Sequence, residues 1–133
     1  MKPGIESAAG SVEFVVTEVM TAQLDGREIH PVYSTFWACH HCEVAARRAI
    51  EPFFEESEDA VGSALSLKHR AMAAVGALLV VTARVSHIEG NRVTCSVRIE
   101  TSQSGRLLAE GTQEQVVISK DKLMGLVAGA LKS

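Results

Sequence analysis

The stretch from Thr35 to Phe54, TFWACHHCEVAARRAIEPFF, constrains this chain more than any other. It contains no glycine, its only proline stands near its end, and it is long enough for several helical turns. Phe36, Cys39, Glu43, Ala46, Ile50 and Phe53 recur at alternating steps of three and four, which places them on one stripe. The spacing predicts one long helix that buries this stripe against a core. Ser34 or Thr35 is suited to cap its start, and Pro52 marks its last turn. Glu43 is the exception on the stripe, because a desolvated carboxylate is costly unless it is paired or hydrogen-bonded. Such a group either pairs locally, with Arg47 one turn on, or belongs to a site.

After the helix the hydrophobic period changes from 3.6 to 2. Residues 62–70 place Leu65, Leu67 and His69 on one face, and residues 78–89 do the same for Leu79, Val81, Ala83 and Val85. Gly90-Asn91 turns the chain into the cleanest strand, 92–101, with Val93, Cys95, Val97 and Ile99 on one side. Ser104-Gly105 turns it again into a long strand, 106–119, and residues 121–131 return to helical spacing. Before the helix, residues 11–19 read as a first strand. Residues 20–33 read as irregular around Asp25-Gly26 and Pro31, and the acidic run 55–59 reads as a solvated loop. Hairpins with one apolar face need a cover, and the single long helix is the available one. The expectation is one α+β domain over residues 1–133, a curved antiparallel sheet wrapped around a central helix: the hotdog architecture. A lone sheet of this kind has a second surface to bury, so a homodimer is expected.

A chain of 133 residues, nearly half of them hydrophobic, suits a single core. A net charge of −3 without a dense basic run argues against nucleic acid as the main partner. No apolar run reaches the length of a membrane span, and the first residues have no signal-peptide core. Together with an odd number of cysteines, three, this points to reduced thiols in the cytosol.

Three polar groups can converge between helix and sheet. Thr35 lies at the helix start, two turns before Glu43, and His69 ends an apolar strand face that the helix should cover. A hydroxyl, a carboxylate and an imidazole suffice for nucleophile or water activation and for general acid–base work, with a Glu43 acyl-enzyme route and direct water attack both open. Each has a plain structural alternative: a cap, a surface ion pair and a core histidine. Cys39-His40-His41-Cys42 invites a zinc reading, but successive helical residues diverge by about 100° and no second ligand pair exists, so no metal is expected. A Cys–His pair using Cys39 or Cys42 with His69 is a rival nucleophile. Tyr33 and Trp37, at the helix entry, can line a pocket for an acyl group, while Phe36 reads as packing. Lys68, Arg70, Arg84, Arg92 and Arg98 spread positive charge, and those beside a crevice mouth would suit phosphates.

The segments HPVYSTFWACHHCEVAARRAI, VGSALSLKHRA, EGNRV and EGTQEQVVI together resemble the fluoroacetyl-CoA thioesterase-like branch of the hotdog superfamily, over about residues 12–122. That branch carries a Thr at the helix start, a Glu eight residues on, and a Gly and a His seven apart on the next strand. Thr35, Glu43, Gly62 and His69 match in type and spacing. The resemblance implies acyl-CoA thioester hydrolysis by Thr35, Glu43 and His69, with Gly62 near the thioester carbonyl. It also implies a homodimer with its crevice near the subunit interface, and no cofactor beyond the CoA of the substrate. Tyr33, Trp37 and Arg70 are the further substrate-binding candidates. The branch's fluoroacetate-specific enzyme has gating phenylalanines before its Thr, whereas residues 24–32 here (LDGREIHPV) contain no aromatic. A broader or different short acyl group is therefore expected. A non-catalytic acyl-CoA or acyl-carrier binding protein of the same fold is the alternative. A hydratase ranks last, because no Asp/His pair stands at the spacing that chemistry would need.

Overall fold

A computed structural model describes residues 1–132. The elements are β1 (Ala9–Val15), β2 (Thr21–Leu24), β3 (Arg27–Tyr33), α1 (Thr35–Ile50), β4 (Glu58–His69), β5 (Leu78–Glu89), β6 (Arg92–Thr101), β7 (Leu107–Ser119) and α2 (Lys120–Ala130). Strands β1, β5, β6, β7 and β4 form one antiparallel sheet in that order, and α1 lies across its concave side. This is the hotdog arrangement expected from the order of elements. The hairpins at Gly90-Asn91 and Ser104-Gly105 fall where turn chemistry placed them, and Val93, Cys95, Val97 and Ile99 are all buried. Among the described residues no helix is long and apolar enough to cross a membrane.

Three local readings need correction. Residues 20–33 are not irregular. After a short 3-10 turn (Glu18–Met20) they form the β2–β3 hairpin, closed by Asp25 and Gly26 with φ of 52° and 73°. Both turn residues are left-handed, the condition of a tight type I′ turn. The burial alternation that marks a core strand is missing because the hairpin is a separate two-stranded ribbon, mostly exposed. The acidic run is not wholly a loop either: β4 begins at Glu58. Its first carboxylate holds the Met1 amino group at 2.8 Å, and Asp59 holds Arg47 at 2.8 Å. Finally, α1 stops at Ile50, and Glu51–Phe53 form a 3-10 turn around Pro52.

The buried face of α1 is also rotated from the predicted stripe. Ala38, His41, Cys42, Ala45, Ala46, Ala49 and Ile50 face the core, whereas Phe36 is 73% exposed and Glu43 is exposed. Only Ala46 and Ile50 of the expected six are buried. The reason lies in β1. A Cβ on Gly10 would stand 2.4 Å from the Ala49 nitrogen and 2.6 Å from the Ala45 carbonyl, so backbone meets backbone there. Only the small residues of α1 allow such an approach, and they select its inward face. His41 is carried inward with them. Its ring stacks on Phe14 with centroids 3.7 Å apart, and its Nδ1 lies 2.6 Å from the Tyr33 hydroxyl. Burial lowers its pKa to about 4.

Two outcomes test this packing. Gly10→Ala should lower unfolding free energy by about 1–3 kcal/mol through overpacking. Gly125→Ala, where an added Cβ meets nothing within 4 Å on exposed α2, should raise it by about 0.5–1 kcal/mol; urea titration reads both. For His41, the unfolded chain binds a proton below its ordinary pKa of about 6.5 and the native state does not until about pH 4. Stability should therefore fall as pH drops through that window, by no more than ~1.4 kcal/mol per pH unit from this residue, and His41→Phe should flatten the slope.

Candidate active site

Ser34, not Thr35, caps α1: its Oγ accepts the Trp37 backbone N–H at 3.1 Å. Thr35 is thereby free at the first helical position, and its Oγ1 lies 2.9 Å from Nε2 of His69, the last residue of β4. The two groups line a cavity of about 360 Å³ with Tyr33, Arg70, Ala71 and Met72. The β2–β3 hairpin overhangs it through Ala22, His30 and Val32, and is tied down by the Tyr33 N–H bonded to the Ala73 carbonyl at 2.9 Å.

Glu43 lies elsewhere on the same helix. Because α1 and β4 run in opposite senses, the middle of the helix faces the first half of the strand. A Cβ on Gly62 would sit 3.6 Å from Glu43 Oε1 and 3.4 Å from Gln113 Nε2. Glu43, Gly62, Gln113 and Gln115 line a second cavity, of about 480 Å³, with His40, Arg47 and Ala60 at its sides. Here glycine serves space rather than conformation: a side chain would fill the gap between carboxylate and carboxamide. Arg47 does not neutralise Glu43. Its guanidinium is held by Glu51 at 2.6 Å and Asp59 at 2.8 Å, and donates to the Ala60 carbonyl at 3.1 Å. Among the described residues Glu43 forms no ion pair, which leaves a free carboxylate facing a cleft.

The expected residues thus fall into two groups within one chain. Thr35 and His69 meet; Glu43 and Gly62 meet; no hydrogen bond joins the groups. Tyr33 and Arg70 line the first cavity, and Arg70 also pairs with Glu110 of β7 at 3.2 Å. Trp37 lines neither, packing edge-on against Phe36 and His40 instead. The cysteines do not form a nucleophilic pair with His69. Cys42 is fully buried and its thiol is pushed up to about 12, by burial first and by Cys39 and Glu43 after it; Cys39 is likewise raised. The Cys39–Cys42 segment points in several directions, His41 and Cys42 inward and His40 outward, and among the described residues no group of three or more potential ligands is arranged for a metal. Gln113 and Gln115 went unnoticed in the sequence. Their signal was polar residues at two successive inward positions of β7, next to Val117 on the same face.

The family model of the fluoroacetyl-CoA-specific thioesterase matches residues 16–121. The fluoroacetyl-CoA thioesterase of Streptantibioticus cattleyicolor is 30% identical over 95 residues, covering 71% of this chain and 67% of that protein. Among solved structures, a Thermus thermophilus hypothetical protein described as a thioesterase superfamily member superposes with a TM-score of 0.93 at 37% identity, over 99% of this chain and 96% of that one. A mutant of the fluoroacetyl-CoA-specific thioesterase superposes with a TM-score of 0.83 at 26% identity, over 97% and 99%. Another mutant, solved in complex with acetyl-CoA, superposes with a TM-score of 0.80 at 25% identity, over 93% and 96%. With its hotdog sheet around α1 and the family model matched over residues 16–121, the chain belongs to the fluoroacetyl-CoA-specific thioesterase family of thioester hydrolases.

Proposed function

We propose that this protein hydrolyses a short acyl-CoA thioester, with Glu43, Thr35 and His69 as its catalytic residues in a site that two subunits complete. The observation that carries this reading is the unpaired Glu43 carboxylate facing the space above Gly62. With the thioester carbonyl at Gly62, Glu43 takes a proton from an attacking water. The new C–O bond forms as the C–S bond breaks, and the CoA thiolate receives a proton from His69. Thr35 holds the His69 ring through their 2.9 Å contact. Lys68, Arg70 and Arg98 line one groove on the outer sheet face, and Arg70 also borders the Thr35–His69 cavity. Lys68 offers the CoA phosphates positive charge at the crevice mouth, while Arg70 and Arg98 are paired there with Glu110 at 3.2 Å and Glu100 at 3.1 Å and would have to exchange partners to join it. The cytosol is the proposed setting, consistent with three free cysteines.

The separation of the two residue groups is the reason for involving a partner. β4 is an edge strand with one row of backbone groups unpaired inside the chain, and Val61 on it is 37% exposed. Antiparallel pairing of two β4 edges about a two-fold axis near Leu65–Ser66 sets Gly62 opposite the partner's His69. Each site then takes Glu43 from one chain and the Thr35–His69 pair from the other.

Glu43→Gln and His69→Ala should each leave a folded dimer with thiol release from acyl-CoA reduced at least about a hundredfold, as expected for loss of a general base or acid. Unchanged rates in both would sink the assignment. Co-refolding the two inactive variants should restore about a quarter of the wild-type rate, because half of a random mixture is heterodimer with one intact site of two. No restoration would place Glu43 and His69 of a site on the same chain.

A further inference from the structure

Gln113 and Gln115 are 2% and 3% exposed, on the inward face of β7 between Gly111 and Val117. Most buried polar side-chain atoms in folded proteins have a partner, and one left without is costly. Among the described residues two are left without: Gln113 Oε1, an acceptor, and Gln115 Nε2, a donor. Both residues line the 480 Å³ cavity that contains Glu43 and Gly62, and the Gln113 carboxamide borders the same space above Gly62 as the Glu43 carboxylate. The fold itself does not need these amides. Valine at either position would continue the apolar face that Val117 occupies on the same strand.

We infer that Gln113 and Gln115 form the acyl-group subsite, and that it selects a short acyl chain bearing a hydroxyl at C2 or C3; this rests on the acyl-CoA reading above. A hydroxyl both donates and accepts, so one group can satisfy Gln113 Oε1 and Gln115 Nε2 together. An unsubstituted alkyl chain offers neither a donor nor an acceptor and leaves both amide atoms unmet. A carbon-bound halogen has no proton for Gln113 Oε1. A carboxylate would meet the Gln115 donor but would face Glu43 and the Gln113 oxygen, while the nearby Arg47 charge is already committed to Glu51 and Asp59. A site built to bond a substrate hydroxyl rejects the analogue that lacks it far more strongly than an apolar pocket rejects a missing methylene.

The test compares glycolyl-CoA with acetyl-CoA, and 3-hydroxybutyryl-CoA with butyryl-CoA, in the wild-type protein, in Gln113→Met and in Gln115→Met. In parallel, calorimetry measures binding of the corresponding ketone analogues, in which a methylene replaces the thioester sulfur. The wild type should favour the hydroxylated member of at least one pair by about tenfold or more, in kcat/KM and in analogue affinity, as for loss of one buried hydrogen bond. Each Met variant, its folding checked by thermal unfolding, should bring the ratio towards one. Turnover without hydroxyl preference overturns the subsite while leaving the hydrolase intact. Hydroxyl-selective binding without turnover supports the subsite and overturns the hydrolase. A preference that persists in both folded Met variants overturns the assignment to these glutamines. If the variants fail to fold, absence of hydroxyl preference in the wild-type analogue measurement still overturns the subsite.

Discussion

The close approach of α1 to β1 governs the rest of the molecule. Backbone meets backbone at Gly10, with Ala45 and Ala49 opposite, and no larger residue fits there. Helix α1 therefore packs mainly on β1, β5 and β6 and stands away from β7 and β4. The separation on that side is the crevice. A helix seated evenly over the sheet would have covered Gln113 and Gln115 with apolar side chains and left Glu43 no cleft to face. Close packing in one half of the sandwich and open space in the other are two results of one choice of residue size.

That asymmetry also determines what surrounds each polar group. Ser34 satisfies the helix N-terminus, so the Thr35 hydroxyl is available to His69. Glu51 and Asp59 satisfy Arg47, so among the described residues the Glu43 carboxylate is left without a counter-ion. In both cases a neighbouring residue takes the local structural role and releases the candidate catalytic group from it. His41 shows the opposite case: drawn inward by the alanine face, it is stacked on Phe14 and bonded to Tyr33, and serves packing.

The β-sheet half was legible because strands β5 and β6 carry near period-two burial between strong turn signals, and a one-residue slip would expose the whole apolar set. The β2–β3 hairpin was not legible, because a ribbon exposed on both faces has no burial period to read. The rotation of α1 was hidden for a related reason. Counting large apolar residues favoured Phe36 and Phe53, but backbone proximity at Gly10 rewards small ones, and this preference comes from a partner element far away in the chain. Glu43 was singled out as a misplaced core charge; it proves to be a crevice residue at the margin of the buried face, with Cys42 beside it in the core.

The sequence alone determined the central helix, the strands that follow it and the order that demands a sheet around one helix, because local periodicity and turn chemistry are properties of neighbouring residues; it nominated Thr35, Glu43 and His69 as a candidate set, to which the family resemblance added Gly62. Only the tertiary structure decided which face of α1 is buried, that Thr35 meets His69 while Glu43 meets Gly62, and that Gln113 and Gln115 enter the cavity with unpaired amide atoms. Those outcomes depend on how near two distant segments can come, and that distance is set by the volume of side chains on both of them at once.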